Sequence, residues 1–317
     1  MRIQSLRRNP EFEVRPAATA SSVARLDDAA APESLNLRLG ELLVARAALS
    51  FDQAEQVARA QRGSGTRFGE TAVALGFVDQ ALVNAALASQ FDFAIVGHDV
   101  DDLDPALVTA RGGHDRASEL IRGLRAKLWQ EIVLRRGDAT APNPAPLITI
   151  ASMTGSVGRR VIAGNLAIAF AQAGTRTLLV DADMRSPALH HLLRSPNRSG
   201  LSTYLAGRQP RPDLADIEAI PGLTFCAAGP IPPNPAELLA RLPDALPRLC
   251  AAAGADLVLV NAPPFDAADD AYLVAAAAPS VLFVARRHYT QATQLARAGR
   301  RLREANIDII GSVLNVA

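Results

Sequence analysis

LITIASMTGSVGRRVIAGNLAIAFAQAGTRTLLVDAD, residues 147–183, decides the fold. An apolar run at 147–151 leads into a loop that holds Gly155 and Gly158. A helical stretch follows over 161–174, and a second apolar run ends on Asp181 and Asp183. Short, continuous apolar runs read as strands buried on both faces, and a helix between two of them makes a βαβ unit. The junction of strand, loop and helix leaves unpaired N–H groups where the helix dipole also favours an anion, so it reads as a phosphate cradle.

Further runs at 223–228, 256–262, 280–285 and 309–316 repeat the rhythm toward the C-terminus. They predict an α/β domain over 146–317, with a mostly parallel sheet flanked by helices. In the other direction, GDATAPNPAP (137–146) reads as a hinge, preceded by a helix over 115–136. Residues 91–113 carry an acidic stretch at 99–104, and 35–90 have helical periodicity. Residues 1–35 are rich in Ala, Ser, Pro and charge without a period, the composition of a disordered tail. The expected domains are therefore a tail (1–35), a small helical domain (36–93), a connector with one helix (94–145) and the α/β domain (146–317).

Composition narrows the function classes. Of 317 residues, 49% are hydrophobic and the net charge is +1, which argues against binding nucleic acid through bulk charge. Cys226 and Cys250 have no metal-ligand spacing and read as reduced thiols. No apolar run has bilayer length, and the basic N-terminus lacks the apolar core of a secretory signal. A cytoplasmic protein is expected, one that reaches the inner membrane through a partner.

Against the phosphate-loop consensus GxxxxGK[ST], Gly158 is the second glycine and Met153 stands at the first. Arg159 takes the lysine position and Arg160 the hydroxyl position. Lys127 is the only lysine in the chain, so no other can serve the loop from within the domain. Gly155, Ser156, Gly158, Arg159 and Arg160 are the nucleotide-site candidates on this segment. Asp181 and Asp183, two residues apart, project to one side of the strand end, where ligands of α/β sheets bind. The run at 256–262 ends near Asn261, where a metal-site aspartate would be expected.

The helical region contains an internal repeat. RLGELLVARAALSFDQAEQVARAQ (38–61) and RFGETAVALGFVDQALVNAALASQ (67–90) superpose without a gap. Arg38/Arg67, Gly40/Gly69, Glu41/Glu70 and Gln61/Gln90 are among the identities. The pattern resembles the cyclic di-GMP-binding N-terminal domain of type II secretion and type IV pilus ATPases, the MshEN type. The resemblance implies cyclic di-GMP contacts at Arg38, Gly40, Gln61, Arg67, Gly69 and Gln90. An arginine plane stacking on guanine and a glycine admitting close approach make physical sense of it. Read from the residues alone, the repeat is equally a helical interaction module that binds no nucleotide.

From about Ser118 onward the chain resembles the bacterial tyrosine kinases of exopolysaccharide and capsule synthesis. LLVDADMRSPALHHL (178–192), GPIPPNPAELLA (229–240), LVLVNAPPFDAADDAYL (257–273) and IIGSVLNVA (309–317) carry the likeness, in order and spacing. The resemblance implies oligomerisation through Glu119, Arg122 and Arg125, spaced as ExxRxxR. It implies magnesium handling and hydroxyl activation at Asp181 and Asp183, with ATP as cofactor, and a membrane chain-length determinant as partner. A cyclic di-GMP-type module ahead of such a domain resembles the branch tied to exosortase-linked loci. The departures bear on chemistry. The usual lysine neutralises phosphate charge and the usual hydroxyl ligates magnesium. Arg159 is a broad planar fork, Arg160 brings a cation to the metal position, and Asn261 removes a carboxylate. Losing one preorganised charge costs roughly a hundredfold in rate. The expectation is a pseudokinase scaffold. The alternatives are an active tyrosine autokinase using arginine for lysine, and a cyclic di-GMP adaptor without triphosphate chemistry. The tyrosines, Tyr204, Tyr272 and Tyr289, form no C-terminal cluster.

Overall fold

The computed structural model describes residues 39–45, 48–64, 66–78, 82–83, 100–111, 115–136, 145–155 and 157–316. The chain divides into two compact units, with the boundary between Phe93 and Ala94. The tail expected over 1–35 and the site candidates Arg38, Gln90 and Ser156 lie outside the described residues.

The first unit holds α1 (Leu39–Ala45), α2 (Phe51–Ser64) and α3 (Phe68–Ala74). Ser50 and Gln53 cap α2 reciprocally. The Ser50 N–H donates to Gln53 Oε1 at 2.8 Å and the Gln53 N–H to Ser50 Oγ at 3.2 Å. Leu43 and its repeat equivalent Ala72 are both fully buried, and Leu43 packs with Leu39, Leu49 and Phe68.

The second unit opens with two short 3₁₀ turns and then α4 (Arg116–Arg136). Asp115 caps α4 by accepting the N–H groups of Ala117 and Ser118 at 2.9 and 3.1 Å. Ser118, Ile121, Leu124, Leu128 and Ile132 form the buried stripe of α4, at spacings of three and four. There follow β1 (Leu147–Ser152), α5 (Arg159–Gln172), β2 (Thr177–Asp181), α6 (Leu189–Leu192), α7 (Leu201–Leu205), β3 (Ala215–Asp216) and β4 (Leu223–Cys226). The chain continues through α8 (Pro235–Leu239), α9 (Leu242–Ala253), β5 (Leu257–Asn261), α10 (Asp270–Ala277), β6 (Ser280–Arg286), α11 (Ala292–Glu304) and β7 (Asp308–Asn315).

The strands form one seven-stranded sheet in the order β3-β4-β2-β5-β1-β6-β7. Every pairing is parallel except β3 with β4, so the α/β reading holds. Alternation along each strand sorts its residues between the two faces of the sheet. Ile148, Ile150, Leu179, Leu257 and Leu259 face one core with Leu124 and Leu128 of α4 and Leu166 and Phe170 of α5. Leu178, Val180, Val258 and Val260 face another, with Leu242, Leu246 and Leu249 of α9. Each such buried side chain contributes about 1.5–3 kcal/mol, which fixes the sheet and with it the position of every strand end.

The connector expected over 94–145 is built into the second unit at its described residues. Asn165 of α5 accepts from Thr109 N–H and Oγ at 2.9 and 2.8 Å and donates to the Ala106 carbonyl at 2.9 Å. Trp129 of α4 stacks obliquely on Phe170 of α5, with ring centroids 6.3 Å apart. No helix among the described residues is long and apolar enough to cross a membrane.

Candidate functional site

Strand order brings the C-terminal ends of β2, β5 and β1 side by side. Asp181 is in register with Asn261, and Asn261 with Ile150. Ser152 ends β1, and Asp183 lies two residues past β2. The loop after β1 turns at Gly158, whose φ of +81° starts α5 in a left-handed conformation. A Cβ there would lie 2.9 Å from Asn315 Nδ2, and that amide donates to the Val157 carbonyl at 3.2 Å. The dihedral therefore calls for glycine, and a Cβ would in addition have to displace the Asn315 amide.

Arg159, the first residue of α5, does not reach outward from this loop. Its side chain is 1% exposed and folds down over the strand ends. Each of its three nitrogens donates at 2.8 Å: Nε to Asn261 Oδ1, Nη1 to Ser152 Oγ and Nη2 to Asp183 Oδ2. Arg160 adds a second guanidinium to Asp183 Oδ2 at 2.9 Å and donates to the Ser186 carbonyl at 2.6 Å. Asn261 Nδ2 donates to Asp181 Oδ1 at 2.8 Å. The remaining carboxylate oxygens accept backbone N–H groups, Asp183 Oδ1 from Ser186 at 3.2 Å and Asp181 Oδ2 from Leu189 at 3.3 Å.

The electrostatics follow from burial. Desolvation pushes the Asp181 carboxyl up to about 6, against the pull of the Asn261 amide. Desolvation likewise brings the Arg159 guanidinium down to about 10, opposed by the Asp183 charge. Two arginines and two aspartates close this cluster with no formal charge left over.

A magnesium–nucleotide complex, which the loop and helix imply, does not fit these residues. The side chain at the lysine position is buried and commits three of its five N–H donors, one on each nitrogen, to the protein. Both Asp181 and Asp183 already accept at each oxygen, and an amide stands where a third carboxylate would hold the metal shell. Met153, at the first-glycine position, is buried with Phe265 and Phe283. Its carbonyl accepts the Asp266 N–H at 3.0 Å, which ties the start of the loop to the segment after β5. No group of three or more His, Cys, Asp or Glu among the described residues is arranged to hold a metal ion.

The structure thus brings Arg159, Arg160, Asp181, Asp183 and Asn261 together and leaves Gly155 exposed on the loop. Sequence reading missed Ser152, Ser186 and Asn315. Ser152 had one signal, a hydroxyl as the last strand residue before the loop. On α4, Glu119 is exposed while Arg122 and Arg125 are half-buried beside the buried stripe. Burial, then the neighbouring Arg122, lowers the Arg125 pKa.

In the first unit, the space beside each repeat glycine is filled from within. A Cβ on Gly40 would meet Phe68 Cζ at 3.0 Å, and one on Gly69 would meet Val83 Cγ1 at 2.5 Å and Leu39 Cδ2 at 3.4 Å. Leu39 and Phe68 are repeat equivalents, so each glycine receives the residue that precedes the other. Arg67 stays exposed at the start of α3, and Gln61 is half-exposed.

Comparison with known proteins agrees with this architecture. The family model described as the CobQ/CobB/MinD/ParA nucleotide binding domain matches residues 148–316. The EpsB protein of Ralstonia nicotianae is 36% identical over 214 residues, covering 66% of this chain and 27% of that one. The tyrosine-protein kinase etk of Escherichia coli K12 is 32% identical over 203 residues, covering 63% of this chain and 27% of that one. The chain thus spans about a quarter of the length of these relatives. The solved kinase domain of the Escherichia coli tyrosine kinase ETK superposes with a TM-score of 0.58 at 26% identity, covering 72% of this chain and 92% of that one.

Proposed function

The chain belongs to the CobQ/CobB/MinD/ParA nucleotide-binding domain family, and from that membership we propose that it is a non-catalytic, tyrosine-kinase-like scaffold of exopolysaccharide synthesis or export. The P-loop domain is related to exopolysaccharide-associated tyrosine kinases. The observation that carries the non-catalytic reading is the buried Arg159 guanidinium, bonded through all three nitrogens to Asn261, Ser152 and Asp183. Phosphoryl transfer depends on positioned cations and a metal facing the transferred group. Here the corresponding charges face each other.

In this reading the protein works by assembly and docking. The half-buried Arg122 and Arg125 and the exposed Glu119 on α4 provide a surface for self-association. A membrane chain-length determinant is the partner, holding a cytoplasmic protein at the inner membrane. The repeat unit biases that docking through cyclic di-GMP, with Arg38, Arg67, Gln61 and Gln90 as its polar contacts. The setting is an exosortase-linked exopolysaccharide locus.

Calorimetric titration with ATP, with and without magnesium, together with phosphotyrosine detection after incubation with ATP, tests the central point. No binding heat and no phosphotyrosine are expected from folded protein. Magnesium-dependent binding, with phosphotyrosine that disappears in Asp181→Ala/Asp183→Ala, would return the chain to the active kinases.

A further inference from the structure

We infer that Arg159, Arg160 and Asn261, three departures around the phosphate site, are one device, in which Arg159 takes over from within the chain the tying role of a metal–phosphate ligand and holds the ends of β1, β5 and β2 in one arrangement without nucleotide. The inference rests on the non-catalytic reading and goes beyond it. A site that has merely lost residues is inert, whereas this one has a built-in occupant.

The interdependence of the residues carries the argument. Arg159 bridges 24 positions along the chain to Asp183 and 102 positions to Asn261, while also holding Ser152 on its own strand. Only a planar fork with donors on three nitrogens makes these contacts at once; an ammonium is a compact point charge on a thinner stem. Asn261 fits only between an arginine and an aspartate. Its oxygen accepts from Arg159 and its nitrogen donates to Asp181. An aspartate there would accept from Arg159 but offer Asp181 no donor, and would add a third buried carboxylate. Arg160 completes the set by sharing Asp183 Oδ2 and by holding the turn after β2 through Ser186. With two positive and two negative groups, the cluster needs no divalent ion to balance it. Each substitution is therefore suited to the others and unsuited to the consensus partner of the others.

The consequence is a P-loop domain whose strand-end loops do not respond to nucleotide. Whatever control the protein is under must enter elsewhere.

The test is thermal unfolding of the full chain, followed by circular dichroism with and without Mg·ATP. It compares wild type, Arg159→Lys, and the triple reversion Arg159→Lys/Arg160→Thr/Asn261→Asp. Wild type should show no shift with Mg·ATP; a shift there would overturn the inference, whereas phosphotyrosine formed on wild type would refute the non-catalytic reading itself. Arg159→Lys should lower the Tm by roughly 10 °C, because a buried carboxylate loses its paired fork, and should gain no response to Mg·ATP. The triple reversion should regain a Mg·ATP-dependent rise of about 5 °C at a hundredfold excess over Kd. An Arg159→Lys protein as stable as wild type would overturn the inference, as would a folded triple variant as unresponsive as wild type. Should the triple variant not fold, Arg159→Gln, Asn261→Ala and their combination decide. A double variant no less stable than the worse single variant supports one shared device, and additive losses of Tm refute it.

Discussion

The two units treat their signature residues in opposite ways. At the phosphate loop the charged and polar side chains have turned inward. Arg159, Asn261, Asp181 and Asp183 satisfy one another, and what remains exposed is Gly155. In the repeat unit the glycines have turned inward against Phe68, Val83 and Leu39, while Arg67 stays exposed and Gln61 half-exposed. One site has used its ligand-binding chemistry to hold itself together. The other has used only its small residues that way and keeps polar groups at the surface. A motif read as residue types does not distinguish these cases, because both preserve the types and differ in where the side chains point.

The contrast is most sharply tested at Arg159. Arg159→Ala leaves Asp183 buried with only Arg160 as an ion-pair partner, and Ser152 and Asn261 each lose a donor. A loss of about 3–5 kcal/mol is expected, measured by urea unfolding; a loss below about 1 kcal/mol would mean the cluster is decorative. Asp181 gives a related effect with a distinctive pH signature. Its folded pKa of about 6 lies above the ordinary 3.8. The folded state therefore holds this proton where the unfolded chain has released it. The stability it contributes is complete below about pH 4 and is lost as pH rises through about 6, a change of about 2–3 kcal/mol. The stability difference between wild type and Asp181→Asn should fall across that window, and a flat difference would place the carboxyl in contact with water.

In the repeat unit the larger effect belongs to Gly69. Gly69→Ala drives a methyl to 2.5 Å from Val83 Cγ1 and should cost about 1–3 kcal/mol. Gly40→Ala meets only the edge of the Phe68 ring at 3.0 Å and should cost less. Equal, negligible costs at both would show that the glycines are not packing positions. Smallest on stability is Arg38→Ala/Arg67→Ala. Arg67 is exposed, and its removal should change stability by less than about 0.5 kcal/mol. Titration with cyclic di-GMP then separates the two roles. Binding that is present in wild type and lost in the variant makes the outward residues a ligand site, whereas equal affinity would reject the mapped positions.

Much of this was legible in order along the chain. The apolar runs at 147–151, 177–183, 256–262, 280–285 and 309–316 became β1, β2, β5, β6 and β7. The helix expected over 115–136 is α4. Strands buried on both faces announce themselves by continuous apolarity. The short β3 gave no such signal, since two residues on a half-exposed antiparallel edge carry no period. The hinge expected at 137–146 lies largely outside the described residues; Asn165 and the α4 stripe pack residues 100–111 and 115–132 against α5. The Asn165 contacts join positions 56 and 59 apart in the sequence and leave no local pattern.

By itself, the sequence determined the α/β architecture, the place of the phosphate loop and the absence of its lysine, because those follow from periodicity and from the identity of single residues. Only the tertiary structure decided what Arg159 does. A guanidinium can be buried only where acceptors surround it. Those acceptors come from Ser152, Asp183 and Asn261, on three strand ends that are distant in sequence. They become neighbours because the sheet runs β2-β5-β1, an order set by packing on both faces of the sheet and written in no one stretch of the chain.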